Sequence, residues 1–429
     1  MWWKNLIVRV KPIFICRKDS PSEMLNERIK EYMHEIETST PNIELLDPFI
    51  AKGYEDLKEF KSSLTYDVDL LLIIRLEYAS SPLETELGAL RKPIANLGLH
   101  TLNLSGVAYL RSKGVDAHLL LDTEELGGFI NKIRIRKALH NTRVLVLTDS
   151  SSPSIQNGIR NLELIKERLG IEVKLMSGKD LSALMEIIDE NQAKELAAKW
   201  IAEASEICAS KESIIEAAML YLAMKELLNE NSANAITVLY GTAPAYISQK
   251  LTPCIPYVKL NDEGIIAACE SDLNVLSAMI ILSYLTYKPA FMGNIWLHDK
   301  SRNIIRITHD VPPLKMEGFD KPPSPYAVYD YHNGGYSATI YTEIMKGQEV
   351  TMARVGPKFD KILLVKGKVA GCYNGIYCRD TLDIEVKNAS DFIHGASDYG
   401  HHFALVYGDY TRELEDLCNY LKLPVKVCQ

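Results

Sequence analysis

The chain opens with short apolar runs that alternate with amphipathic stretches. Leu6–Cys16, rich in Val and Ile, reads as a strand, and Glu23–Glu37 puts Met24, Ile29, Met33 and Ile36 on one side of a helix. Ile43–Leu46 reads as a short strand and Tyr54–Leu64 as a helix. Val68–Leu76 (VDLLLIIRL) is an almost unbroken apolar run. A strand covered on both faces has that pattern, which points to a parallel sheet flanked by helices. Leu83–Leu90, Ile94–Leu97, Leu104–Ser112, His118–Leu121 and Glu124–Leu139 continue the alternation.

A second cycle begins at Arg143–Thr148. A helix over Ile155–Leu169 follows, then a strand at Val173–Met176, helices near Leu181–Ile188, Ala193–Ala204 and Glu212–Leu228, and a strand at Ile236–Tyr240. After residue 288 the helical period fades until Thr411–Leu423. Short strands replace it: Ile304–Thr308, Ser337–Tyr341, Glu349–Arg354, Lys361–Val369, Leu382–Val386 and Phe403–Tyr407, with Gly, Pro, Asn and Asp between them. The expected fold is therefore α/β. Two doubly wound α/β lobes (residues 1–141 and 142–287) precede a β-rich, barrel-like C-terminal domain with a terminal helix (288–429).

Composition narrows the classes of partner. The formal charge is −8 and no basic cluster is visible, which argues against nucleic acid. No apolar stretch has the length of a membrane span, and Arg9 and Lys11 interrupt the first apolar run, so a cytoplasmic protein is expected. Eight cysteines stand without a paired framework and read as reduced thiols. Cys372 and Cys378 are spaced too loosely for a zinc pair and read as strand residues.

Thr148–Ser152 ends a strand and opens a helix, a place where an anion can sit, but without a glycine pattern it reads as a helix cap. Cys269-Glu270-Ser271-Asp272 precedes the apolar helix Leu273–Leu285, where acidic residues serve as caps or face the helix dipole. Histidines gather at element edges over residues 298–402, and His401 and His402 are adjacent. Carboxylate, imidazole and amide groups in one region suit a sugar or a divalent metal.

The series Ala268-Cys269-Glu270-Ser271-Asp272, Lys288-Pro289-Ala290-Phe291-Met292-Gly293-Asn294, Ile307-Thr308-His309, Tyr331-His332, Cys378-Arg379-Asp380-Thr381 and Gly400–Asp409 resembles the L-fucose isomerase and L-arabinose isomerase superfamily, in its fucose-isomerase-like branch. The matches span about residues 262–410, and the first 250 residues agree only in layout. The resemblance implies an aldose–ketose isomerase that works through an ene-diol with a divalent metal, manganese in most of the family. It implies a homo-oligomer, trimer or hexamer, and a small sugar as substrate. Glu270 matches the first acidic ligand and proton-transfer residue. Asn294 stands where the family has a Glu or Asp, and His309 and His401 match the histidine ligands. Glu270 and Asn294 are thus the implied catalytic pair, with His332, Arg379 and His402 as sugar contacts. An amide oxygen at Asn294 can bind a hard metal but adds no charge and cannot act as a base. Asp272, Asp299 and Asp310 are the nearby carboxylates that could replace the missing acid. A related enzyme on a sugar acid or sulfonated sugar, and a sugar-binding relative without turnover, fit the same fold.

Overall fold

The structure is a computed structural model that describes residues 1–64, 67–77, 83–148, 161–238, 251–375 and 378–428. Asp149–Ser152 of the helix-cap segment, the first part of the helix expected from Ile155, and the end of the strand expected to reach Tyr240 lie outside the described residues. The chain divides into two compact units, Trp2–Lys137 and Ala138–Gln429 (with Met1).

In the first unit the strands are β1 (Val8–Ile15), β2 (Ile43–Leu45), β3 (Phe49–Ala51), β4 (Leu70–Arg75), β5 (Ile94–Leu97) and β6 (Ala117–Leu120). They form a parallel sheet in the order β2-β1-β4-β5-β6, with β3 pairing the end of β1. All six residues of β4 are buried, as the apolar run requires of a strand covered on both faces. The helix Ser22–Ser39 buries Leu25, Ile29 and Ile36, while Met24 is exposed. The stripe keeps Ile29 and Ile36 as expected and begins at Leu25 rather than Met24, because two neighbouring apolar residues both fit the period. Leu83–Leu90 is a 3-10 helix that carries Glu84 into a buried pair with Arg75.

The second unit begins with a parallel sheet. Its strands are β7 (Arg143–Leu147), β8 (Glu172–Met176), β10 (Ala235–Val238) and β11 (Ile266–Ala268), in the order β11-β10-β7-β8, and the short β9 (Glu206–Ile207) lies outside it. After β11 the helix Leu273–Thr286 buries every residue except Leu285. A helix that is apolar all round must be enclosed. This one packs on β11 and on strands of the following sheet.

That sheet contains β12 (Phe291–Asp299), β13 (Ile304–His309), β16 (Glu349–Val355), β17 (Ile362–Asn374), β18 (Asp380–Val386), β19 (His402–Tyr407) and β20 (Val425–Cys428). The antiparallel ladder runs β16-β19-β12-β13-β18-β17, and β17 pairs back onto β16, so six strands close a barrel. Closure removes the sheet edge. β20 joins β17 in parallel. The strands β14 (Tyr326–Asp330) and β15 (Ala338–Thr342) form a small sheet with β9. The helices Cys254–Asp262 and Ala389–Ala396 have no counterpart in the sequence reading. The second is two turns long, too short for its period to stand out among strands.

Alternation along the barrel strands separates two faces. Ile305, Ile307, Leu382, Ile384, Phe403 and Leu405 are fully buried. Register pairs Asn294 with both Thr308 and His402, and Thr308 with Thr381, so these four side chains share the other face. A Cβ at Gly293 would press on Ile307, which explains a glycine in the middle of β12.

Candidate active site

β11 ends at Ala268, and the chain reaches the buried helix only four residues later. Two consecutive residues absorb the turn in left-handed backbone, Glu270 at φ +63° and Ser271 at φ +53°. Neither is glycine, so each costs of order 1–3 kcal/mol, and such strain collects at functional sites. Asp272 then caps the helix: its Oδ1 accepts the N–H of Asn274 (3.0 Å) and of Val275 (3.1 Å). Its Oδ2 accepts from Arg354 Nη1 at 2.8 Å and from His402 Nδ1 at 2.9 Å. Arg354 also donates to the carbonyls of Tyr399 (2.7 Å) and His402 (2.8 Å). A Cβ at Gly400 would collide with that guanidinium. One buried ion pair thus ties the helix start to the start of β19.

Glu270 lies between two imidazoles. Its Oε2 is 3.4 Å from His402 Nε2 and its Oε1 is 3.7 Å from His309 Nε2. The ring centroids of His309 and His402 are 6.1 Å apart. Both histidine side chains are buried, whereas 43% of the Glu270 side chain is exposed, so the carboxylate forms the open side of the cluster. Contacts from His309 and His402 hold the Glu270 carboxyl well below the usual range, against burial. Burial would raise Asp272, but Arg354 and His402 override it and keep it ionised. Burial likewise opposes charge on His402, yet Asp272 and Glu270 outweigh it and raise His402 to about 9.

The hydrogen bonds distinguish the two buried rings. An ionised Asp272 only accepts, so His402 Nδ1 carries a proton and, in the neutral ring, Nε2 keeps its lone pair toward Glu270. His309 is the reverse. Its Nδ1 accepts the backbone N–H of Asp310 at 3.0 Å, so Nε2 carries the proton and faces Glu270. His401 is exposed, with a ring nitrogen within 4.8 Å of Glu270 and His402 ligand atoms, and burial lowers its pKa. Cys269, Glu270 and His309 form another group within the same spacing.

Asn294 stands beside His402 in the β12–β19 register, on the same sheet face. A cleft of about 400 Å³ lies along that face, lined by Trp296, Arg306, Thr308, Tyr373, Cys378 and Thr381 among others. Arg306 is held by Asp383 at 2.6 and 3.0 Å and stacks on Tyr373. His332 and Arg379 belong to a neighbouring group around Asp310. The Arg379 guanidinium donates to the Asp330 carbonyl and Asn333 Oδ1 and lies over the Tyr329 ring. Of the three carboxylates named as substitutes for the missing acid, Asp272 holds His402 and Arg354. Asp299 accepts from Ser301 and Arg302 in a local turn. Asp310 accepts the N–H of Arg379 at 2.8 Å. Sequence reasoning missed Arg354. Its signal was a lone cation inside the apolar strand VTMARV.

No family model matches the chain. It is similar to the sulfoquinovose isomerase of Priestia megaterium, 24% identical over 312 residues that make up 70% of this chain and 67% of the relative. The sulfoquinovose isomerase of a Clostridium species is 25% identical over 262 residues, 56% of this chain and 58% of that one. The enzyme of the same name from Alkalicoccus urumqiensis is 25% identical over 219 residues, 47% and 46% of the two chains.

Proposed function

We propose that the chain is an aldose–ketose isomerase whose centre is Glu270, flanked by His309 and His402, with a divalent metal as cofactor. The similar sulfoquinovose isomerases and the motif resemblance to the L-fucose and L-arabinose isomerase superfamily support the reaction class. The observation that carries the site is the fixed tautomer of His402. One buried ring nitrogen faces the Glu270 carboxylate at 3.4 Å, and the ring's other nitrogen is locked by the ionised Asp272. That carboxylate–histidine arrangement is how proteins orient a metal-binding imidazole.

Glu270, the Asn294 amide oxygen and His402 Nε2 would hold the ion, and manganese suits such a mixed oxygen and nitrogen set. Bound there, it supplies positive charge beside sugar oxygens that become negative during the reaction. The protein's own groups do the rest. Glu270 carries the proton between C1 and C2, taking it from one carbon and returning it to the other. His309 Nε2–H donates a hydrogen bond toward the same point, so it steadies charge on a sugar oxygen, and it joins the ligand set only by giving up its bond to Asp310. His402, rather than His401, takes the ligand role on this reading, because only His402 has its far nitrogen fixed.

The sugar's remaining carbons extend along the cleft past Thr308 and Thr381 toward Trp296 and Tyr373. A sulfonated hexose, the substrate class named by the relatives, places its distal group near Arg306. Asn294, neutral where an acid is usual, is the one observation that favours a sugar-binding relative without turnover. A panel of aldoses, including a sulfonated one, with manganese added decides between them. Isomerisation that Glu270→Gln reduces by about a hundredfold or more supports the enzyme. Sugar binding without conversion supports the binder.

A further inference from the structure

We propose that Asp310, His332 and Cys378 form a second metal site, separate from Glu270 and selective for a zinc-class cation because one ligand is a thiolate. The carboxylate oxygen, ring nitrogen and sulfur of these residues lie within 4.8 Å of one another, and Asp310 Oδ2 is 3.8 Å from His332 Nε2. None of the three belongs to the groups that meet at Glu270. β13 ends at His309, and Asp310 follows it in a bend, so the two neighbouring side chains serve different groups.

The surroundings hold the three ligands in place. Asp310 is 3% exposed, and its Oδ1 is pinned by the backbone N–H of Arg379. His332 sits in left-handed backbone (φ +49°, ψ +28°) with its ring stacked on Tyr331, centroids 3.8 Å apart at 17°. A histidine in that conformation is strained, and such strain collects where a side chain must be presented in one direction. Cys378 begins the segment that leads into β18, and it also lines the cleft along the barrel face.

Charge supplies a second argument. A buried carboxylate needs a compensating cation. Among the described residues the His332 ring is the only basic side chain within ion-pair distance of Asp310, and it compensates only when protonated. The Arg379 guanidinium is next in sequence to Cys378 but is engaged by Asp330, Asn333 and the Tyr329 ring. A divalent cation on Asp310 would compensate its charge, with the thiol proton of Cys378 released to solvent as sulfur binds the metal.

Three protein ligands of oxygen, nitrogen and sulfur leave a fourth tetrahedral position open, as zinc accepts. Sulfur ligation favours zinc over manganese, so the two centres would sort the two metals between them. Bound there, the ion ties the 330–333 turn to the start of β18 and fixes one wall of the sugar cleft.

The test uses the full chain and cobalt(II) as a spectroscopic stand-in for zinc. One equivalent should produce the near-ultraviolet charge-transfer band of a thiolate–cobalt bond. The band should vanish in Cys378→Ser and persist in Cys269→Ser and Glu270→Gln. No band in the unmodified protein, a band that survives Cys378→Ser, or a band lost in Cys269→Ser or Glu270→Gln would overturn the proposal. Should Cys378→Ser fail to fold, alkylation of the unmodified protein mapped by mass spectrometry decides. Zinc that slows modification of Cys378 tenfold or more supports the site, and equal rates with and without zinc overturn it.

Discussion

Asp272 and His402 stand 130 positions apart and are joined by a 2.9 Å hydrogen bond between Oδ2 and Nδ1, both side chains buried. The same carboxylate caps a helix and pairs with Arg354. Substituting Asp272→Asn keeps a capping oxygen but removes the charge that fixes the His402 tautomer. Manganese affinity should fall roughly 10–100-fold, the usual effect of losing such a partner. The protein should also lose stability, because Arg354 is left buried without its counter-ion. Calorimetric titration together with thermal melting separates the two effects. Unchanged affinity would remove Asp272 from the orienting role.

The raised pKa of His402 gives a signed prediction. In the ion-free protein the ring holds its second proton up to about pH 9, against an ordinary 6.5. This contribution to stability is fully present below about pH 6.5 and is lost as pH rises through about 9. Its size is up to about 3 kcal/mol, because each tenfold gain in proton affinity is worth roughly 1.4 kcal/mol. Metal binding must displace that proton, so manganese affinity should rise about tenfold per pH unit over the same window. Melting curves and titrations at several pH values check both trends. A His402→Gln variant should show neither.

Asn294 is the register partner of His402 on the neighbouring strand and carries a neutral amide oxygen. Asn294→Asp supplies a hard anion at the same place and should raise manganese affinity about tenfold or more, equivalent to about 1.4 kcal/mol. Equal affinities in the two proteins would remove residue 294 from the ligand set.

A fourth prediction lies away from the site. Asp262 is buried at the end of the helix Cys254–Asp262 and accepts the N–H of Lys315 at 2.9 Å. Burial pushes its carboxyl up to about 6. Its ionisation therefore costs stability increasingly as pH rises from about 4 to about 6, and the full cost applies above that. Asp262→Asn keeps an acceptor oxygen and removes the charge. It should stabilise the protein by roughly 1–3 kcal/mol at neutral pH and have little effect near pH 4. Denaturant melts at the two pH values show the difference.

The sequence pattern carried the architecture well where a strand or helix is enclosed. Val68–Leu76 and Leu273–Leu285 are apolar on every side because they are covered on every side. The barrel was legible as a run of short punctuated strands. What chain order could not show is which member of a close pair has its ring fixed by a partner. His401 and His402 are adjacent, their ring centroids are 4.1 Å apart, and both bring a ring nitrogen near Glu270. The distinction rests on the hydrogen bond from His402 to Asp272, 130 positions away. Arg354 was hidden for the same reason: its partner Asp272 is brought to it only where the buried helix packs on β16. The short helix Ala389–Ala396 had too few residues to show a period.

The pairing of Asn294 with His402 also bears on how the protein comes into being. On the ribosome, Glu270 leaves the synthesis site 132 residues before His402 (402 − 270). At about 5–20 residues per second this is an interval of roughly 7–26 s. During that time Asp272 has no imidazole to hold and Glu270 lacks one of its flanking rings, while the strands of both parallel sheets have already been made. On the proposed site, catalytic competence therefore waits until β19 has been made. A nascent chain released before β19 can contain the whole Trp2–Lys137 unit and yet lack the proposed centre.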